Sequence, residues 1–160
     1  MLEDSKNKNL KKTLSGQSLF EVVLALAIST IILVAVVSLV TVAVRNSSFS
    51  KNKTLAGRHA QEVQEWLRGE RDGDWDVFYG HATDSSLWCM IAPSWDNIGQ
   101  CPATGYIDRT IFKRETTFRL PDPLDPTNVE SRVRVFWQQS GRAHEIESIT
   151  NFTDWRTIIN

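Results

Sequence analysis

Residues 22–44 read VVLALAISTIILVAVVSLVTVAV, and the organisation of the whole chain follows from this segment. It holds 23 residues without a charged side chain, a Pro or a Gly. As a helix it would rise about 35 Å, enough to cross a bilayer core roughly 30 Å thick. Its few hydroxyls can bond back to carbonyls of the same helix: Ser29, Thr30, Ser38 and Thr41. The segment predicts one unbroken membrane-spanning helix.

Two other interpretations of the segment fit the residues less well. A cleaved secretory signal has a shorter apolar core, about 7–15 residues, followed by a small-x-small cleavage site. Here the residues after the core are Arg45, Asn46 and Ser47, which form a poor site of that kind. A buried helix of a soluble protein would show a polar face, and this segment has none. The sequence therefore favours a retained span.

Charges on the two sides of the span do not decide its orientation. Basic residues precede it at Lys6, Lys8, Lys11 and Lys12, and others follow it at Arg45, Lys51, Lys53 and Arg58. This count is close to a tie under the positive-inside rule. The short basic tail is typical of a signal anchor, and Cys89 and Cys101 suit an oxidising compartment. Both features place the N-terminus in the cytosol.

The start of the span carries a specific motif. Residues 11–28 read KKTLSGQSLFEVVLALAI, so a basic leader ends in Gly16 and Glu21 stands five positions later, before the apolar run. This arrangement resembles the N-terminal signal of type IV prepilins and pseudopilins, over roughly thirty residues. One position departs from that family, which usually has Phe or Met where this chain has Gln17.

The resemblance implies processing and assembly. Prepilin peptidase would cut between Gly16 and Gln17, and the new terminus is N-methylated in the family. Glu21 would then attract the α-ammonium group of Gln17 in a neighbouring subunit and set the axial position of added subunits. Glu21 could instead pair with its own amine one turn away, or lie beside lipid headgroups without a role. The implied partners are other pilin or pseudopilin subunits, prepilin peptidase, a membrane assembly platform and the lipid bilayer.

The chain thus divides into a leader (1–16), a transmembrane helix (17–45) and a periplasmic or extracellular globular domain (46–160), called here the head domain. The helix is predicted to continue to about Arg71, since apolar residues recur at spacings of three and four: Leu55, Ala56, Ala60, Val63, Trp66 and Leu67. Polar residues are expected on the opposite face, at Arg58, Gln61, Glu62, Gln64 and Glu65. The protein would wait in the cytoplasmic membrane as a single-pass subunit and later lie in a pilus or pseudopilus at the cell surface.

Residues 75–107 look irregular, with scattered Gly and Pro. A disulfide between Cys89 and Cys101 is expected rather than two free thiols, and closing a loop of that size would add roughly 3 kcal/mol of stability. Asp72, Asp74 and Asp76 alternate like the head of a calcium loop, but Val77 and Thr83 occupy the positions that need Gly and Glu. No metal site is predicted.

Three strands are predicted after this region, at Thr110–Leu120, Val129–Gln139 and Ala143–Phe152. Ser140 and Gly141 are expected to form a tight hairpin turn, and Trp155 to hold the C-terminus. The fold class is therefore α+β: a long N-terminal helix packed on a small antiparallel sheet of about three to four strands. This arrangement also resembles the head of pseudopilins and minor pilins.

Composition and motifs narrow the range of functions expected for the protein. The chain has 18 basic and 19 acidic residues, so its net charge of -1 gives no argument for nucleic-acid binding. No catalytic constellation or cofactor motif is found, so an enzyme is not expected. The alternative function is a membrane-tethered binding module, such as an adhesin or DNA-uptake receptor. Basic residues near the strands favour it, although most are expected on solvated faces: Arg109, Lys113, Arg114, Arg119, Arg132, Arg134 and Arg142.

Overall fold

The computed structural model describes residues 19–155, in two compact units that divide between Arg45 and Asn46. In chain order the elements are helix α1 (Leu19–Gly73), helix α2 (Trp75–His81) and strands β1 (Leu87–Cys89), β2 (Phe112–Arg119), β3 (Asn128–Gln139) and β4 (Arg142–Thr153). The predicted cleavage site at Gly16 and Gln17 lies outside the described residues.

The first unit, as far as it is described, is the apolar part of α1. Its side chains are exposed from Leu19 to Val44, and its mean hydropathy reaches 2.9. Each hydroxyl bonds back to a carbonyl three or four residues earlier, as predicted: Ser29 to Ala25, Thr30 to Ala27, Ser38 to Val34 and Thr41 to Val37. By length and composition, α1 is able to cross a membrane.

The second unit begins with the amphipathic part of α1, which packs on the sheet. The predicted apolar stripe is buried at Ala56, Ala60, Val63 and Leu67. Gln64, expected on the polar face, is 4% exposed and donates from Nε2 to the carbonyl of Ser148 at 3.2 Å. That prediction was wrong because Gln64 follows Val63 within the buried stripe, where a main-chain acceptor on β4 bonds its Nε2.

The sheet is an antiparallel meander in the order β1-β2-β3-β4. The three predicted strands are confirmed within two residues at each end, and β1 adds a fourth at the edge. Ser140 and Gly141 both have positive φ, 52° and 74°, which fits the type I′ turn that joins twisted strands. From this turn the pairing of β3 with β4 runs without a bulge over their full length. The predicted α+β architecture is therefore confirmed and is consistent with a pilin-like fold.

The segment before β2 is more ordered than its composition predicted. Asp74 caps α2 by accepting a hydrogen bond from the Val77 amide, and Phe78 is fully buried. Cys89 and Cys101 form the expected disulfide, with Cα atoms 4.8 Å apart. The interpretation of residues 75–107 as irregular was therefore wrong for α2 and β1. Each is too short for hydrophobic periodicity to reveal.

Candidate functional site

The most distinctive surface is the apolar part of α1. Its large side chains are exposed along its whole length; Ile31 and Leu39, for example, are both 70% exposed. Apolar surface of this extent is stable against lipid or against another protein, and not in water. Because the exposed side chains lie all round the helix, they can contact a bilayer and can also pack between other helices.

Glu21 is the one charged residue between Leu19 and Val44. It lies in the first turn of α1 as far as this helix is described. Within residues 19–155 it makes no ion pair. The group that the resemblance assigns as its partner, the amine of Gln17, lies outside the described residues.

A second notable group is a buried arginine in the head domain. Arg114 on β2 has no exposed surface, although it was expected on a solvated face. Its Nη1 donates to Glu62 Oε2 and to the His59 carbonyl, each at 2.7 Å, and its Nε donates to the Met90 carbonyl at 3.0 Å. Nη2 has no partner. One guanidinium therefore connects α1, β2 and the segment after β1.

Burial and the charge of the other residue both affect the pKa values of Glu62 and Arg114. Burial alone would raise the pKa of Glu62, but the hydrogen bond and charge of Arg114, together with His59, outweigh it and lower the pKa. For Arg114, burial lowers the pKa despite the opposing effect of Glu62. The His59 Nδ1 lies 3.5 Å from Glu62 Oε2. These contacts form a structural connection between α1 and β2.

The sequence contained a signal that Arg114 lies on the inward face of β2. Along β2 the inward positions are Phe112, Arg114, Thr116 and Phe118, which are all buried. A strand alternates its faces with a period of two, so Arg114 shares a face with the two phenylalanines. A charged residue on the apolar face of a strand needs a partner of opposite charge, and Glu62, whose side chain is half exposed, provides it from α1.

The disulfide loop is fixed to the same strand from the other side. Glu115 Oε1 accepts from the Cys101 amide at 2.9 Å, and Glu115 Oε2 accepts from Arg134 Nη2 at 3.0 Å. Glu115 is 5% exposed, so a buried carboxylate joins the loop to β3. The disulfide and this carboxylate together hold the loop against the sheet.

The outward face of the sheet carries alternating charge. Arg132 pairs with Glu130 at 3.3 Å and with Glu147 at 3.2 Å, and Arg134 pairs with Glu115. These two arginines were predicted to lie on a solvated face, and each is 44% exposed. Because carboxylates neutralise them, they do not form a free basic patch for nucleic-acid phosphates.

The alternating aspartates have structural contacts of their own. Asp74 caps α2, and Asp72 accepts hydrogen bonds from Arg71 and Trp155. The bond from Trp155 to α1 also fits the predicted role of Trp155 in holding the C-terminal segment. Across residues 19–155, no group of three or more His, Cys, Asp or Glu side chains is arranged to hold a metal ion.

Comparison with known proteins gave no relative. No protein-family model, no curated protein and no solved structure matches the chain. The fold and the exposed segment by themselves define a class: an α+β protein whose N-terminal helix is apolar enough to cross a membrane and continues into the head domain.

Proposed function

We propose that the chain is a minor pilin or pseudopilin subunit that assembles into a type IV pilus or a type II secretion pseudopilus. Assembly would proceed through its N-terminal helix after prepilin peptidase cleaves between Gly16 and Gln17. The observation that carries the proposal is α1 itself. A single helix joins an exposed apolar segment, with Glu21 in its first turn, to an amphipathic segment packed on an antiparallel sheet.

This architecture suits a subunit that leaves the membrane for a fibre. In the bilayer the apolar segment contacts lipid, and in the fibre it would contact the same segments of other subunits. Both surroundings are apolar, so the transfer changes the free energy little compared with exposure to water. A head domain on the outer side of the membrane would remain folded throughout, and its disulfide suits that compartment.

Glu21 would set the position of each new subunit. A carboxylate in an apolar helix bundle is costly unless it is paired, and cleavage creates a free α-ammonium group at Gln17 as the pairing cation. Pairing between neighbouring subunits would fix one axial spacing. The partners proposed are therefore other pilin or pseudopilin subunits, prepilin peptidase and a membrane assembly platform.

The alternative, a membrane-tethered adhesin or DNA-uptake receptor, has less support. Its motivating feature was the concentration of seven basic residues near the strands, and four of them, Arg109, Arg114, Arg132 and Arg134, each lie within ion-pair distance of a carboxylate. A receptor for nucleic acid needs cations that are free to replace counterions on phosphate.

Cleavage at Gly16 is the first test. In cells with prepilin peptidase, the mature protein should start at Gln17, and a Gly16→Leu variant should keep residues 1–16, because a bulky side chain fills the cleavage position. A Ser15→Ala variant serves as the control and should be cleaved normally. Intact mass and N-terminal sequencing report both results. An intact Met1 in the wild-type protein, in cells that process other prepilins, would contradict the proposal.

The same mass measurement also tests whether the N-terminal amine of Gln17 keeps its positive charge. A free or methylated amine at Gln17 keeps a positive charge for Glu21, whereas cyclisation of an N-terminal Gln removes it. A cyclised terminus in assembled protein would rule out the proposed pairing and leave cleavage itself supported.

A Glu21→Gln variant tests assembly separately from processing. It keeps the size and polarity of the side chain but removes its charge, so cleavage should be normal. Incorporation into sheared fibres should fall at least about tenfold, the equivalent of roughly 1.4 kcal/mol. Quantitative immunoblotting of fibre and membrane fractions measures the ratio. A Glu65→Gln variant, which alters an exposed glutamate of the head domain, should incorporate like the wild type. Equal incorporation of all three proteins would refute the role of Glu21.

A further inference from the structure

The far edge of the sheet has no neighbour among the described residues. β4 pairs with β3 on one side, and no other strand pairs with it on the other. The edge is 12 residues long, whereas β1, at the opposite side of the sheet, has three residues and bridges to the loop through Trp88 and Ile98. β4 is thus the one long strand with an open side in this part of the chain.

The hairpin determines which backbone groups of β4 face outward. Gln139 and Arg142 flank the two-residue turn, so they form a hydrogen-bonded pair, and bonded pairs then recur at every second residue. The residues between them point their N–H and C=O groups away from β3: Ala143, Glu145, Glu147, Ile149 and Asn151. None of these groups bonds to another described residue.

Most of the usual protection against strand addition is missing from this edge. Protected edges carry Pro, a bulge, or charged side chains, especially lysines, that repel another strand. β4 has no Pro, its pairing has no bulge, and its outward residues include no Lys or Arg. Two of them are instead Glu145 and Glu147.

The charge pattern of the sheet indicates what this edge accepts. One cross-strand row runs Glu115, Arg134, Glu147 and so alternates negative, positive, negative as it reaches the edge. The neighbouring row ends in Glu145, for which no ion pair forms within residues 19–155. A fifth strand that continued the alternation would place cations beside Glu145 and Glu147, two residues apart on one face.

We propose that β4 is a docking edge for an extended segment of a partner protein that carries basic residues at alternating positions. The backbone of the segment would extend the sheet by a fifth strand, and its two cations would pair with Glu145 and Glu147. A second copy of β4 does not meet this requirement, because its outward positions offer no cation to either carboxylate. The inference concerns the head domain alone, so it stands whether or not Gly16 is a cleavage site.

Peptide binding to the full chain in detergent micelles tests whether β4 accepts a basic extended segment. The probe is a fluorescent ten-residue peptide of alternating Thr and Val with Lys at positions 4 and 6, and the comparison peptide has Glu at both positions. Fluorescence anisotropy at low salt should show the Lys peptide binding at least about tenfold more tightly, since two attractive cross-strand pairs replace two repulsive ones. A Glu145→Lys and Glu147→Lys double variant should reverse the order of the two peptides.

An Ile149→Pro variant separates strand addition from surface charge. The amide of Ile149 points away from β3, so proline removes a docking donor without removing a hydrogen bond of the β3–β4 pair. Binding of the Lys peptide should weaken at least about fivefold, whereas Ile149→Thr, which keeps the amide, should bind like the wild type. Circular dichroism verifies that both variants are folded.

Three outcomes would overturn the proposal. The first is equal affinity for the Lys and Glu peptides. The second is unchanged binding by Ile149→Pro, which would indicate a purely electrostatic contact with the face of the sheet. The third is self-association of the chain without peptide that Ile149→Pro abolishes, which would assign the edge to a second copy.

Discussion

Replacing Arg114 by alanine should destabilise the head domain by about 3 kcal/mol or more. The substitution removes the donor to the carbonyls of His59 and Met90 and the cation beside Glu62, and it leaves a cavity where the side chain was fully buried. Because these acceptors belong to α1 and to the segment after β1, the loss should affect the packing of the helix on the sheet. Urea unfolding in detergent micelles, followed by tryptophan fluorescence, measures the change in unfolding free energy.

Two glutamates on the same helix provide a matched comparison. Glu62→Gln leaves Arg114 buried with its charge uncompensated, whereas Glu65→Gln alters a pair with Arg68 that is largely exposed. The first should be clearly destabilising, and the second should stay within about 0.5 kcal/mol of the wild type. Combining Arg114→Met with Glu62→Gln should cost less than the sum of the single changes, since the two groups interact. Additive losses would show that the two side chains act independently.

The dependence of stability on pH tests the Glu62–Arg114 pair in a second way. The pKa of Glu62 is lower in the folded protein than its ordinary value, so its contribution to stability is complete above the ordinary carboxyl range. That contribution is lost as pH falls through the lowered pKa. The wild type should therefore lose stability on acidification more steeply than Glu62→Gln, which has no proton to gain at this position.

Long periodic segments carried most of the fold information in this sequence. The uncharged run and the stripe from Leu55 to Leu67 predicted α1, and alternation predicted β3, because each pattern is long enough to repeat several times. The turn at Ser140 and Gly141 was predictable for a different reason: few residue pairs accept two positive φ angles.

The buried polar contacts were harder to predict because they depend on tertiary neighbours. Arg114 lies between Lys113 and Glu115, so local charge suggested a solvated strand, while its alignment with Phe112 and Phe118 indicated the inner face. Only the packing of α1 across β2 shows that Glu62 and two carbonyls satisfy it. Gln64 was misplaced for the same reason, since its acceptor at Ser148 is far away in the sequence. The assembly residues are a separate matter: Gly16 and Gln17 lie outside the described residues, and the proposed role of Glu21 rests on the motif.

Helix α2 was missed although its start was marked. Asp74 is a good N-cap, and Trp75, Phe78 and Tyr79 recur at helical spacing, but seven residues hold fewer than two turns. Gly80 and the nearby aspartates also suggested a loop. Tertiary contacts stabilise α2 where propensity does not, and Phe78 is its buried side chain.

Replacing Phe78 by alanine is accordingly expected to cost about 3–5 kcal/mol. The ring is fully buried and contacts the rings of Trp75, Trp95, Phe118 and Phe152, so it connects α2 with the loop and with strands β2 and β4. Urea unfolding followed by far-UV circular dichroism measures the loss without relying on the tryptophans that surround the ring.

A Val77→Ala variant is the matched control. It alters the adjacent residue of α2, whose side chain is 53% exposed, and it keeps the backbone amide that bonds to Asp74. Its unfolding free energy should stay within about 0.5 kcal/mol of the wild type. If Phe78→Ala were equally mild, α2 would be a peripheral turn, and the core of the head domain would have to be held by the contact of α1 with the sheet alone. A large loss confined to Phe78→Ala would instead make this seven-residue helix a part of the core, since its single buried ring joins elements far apart in the sequence.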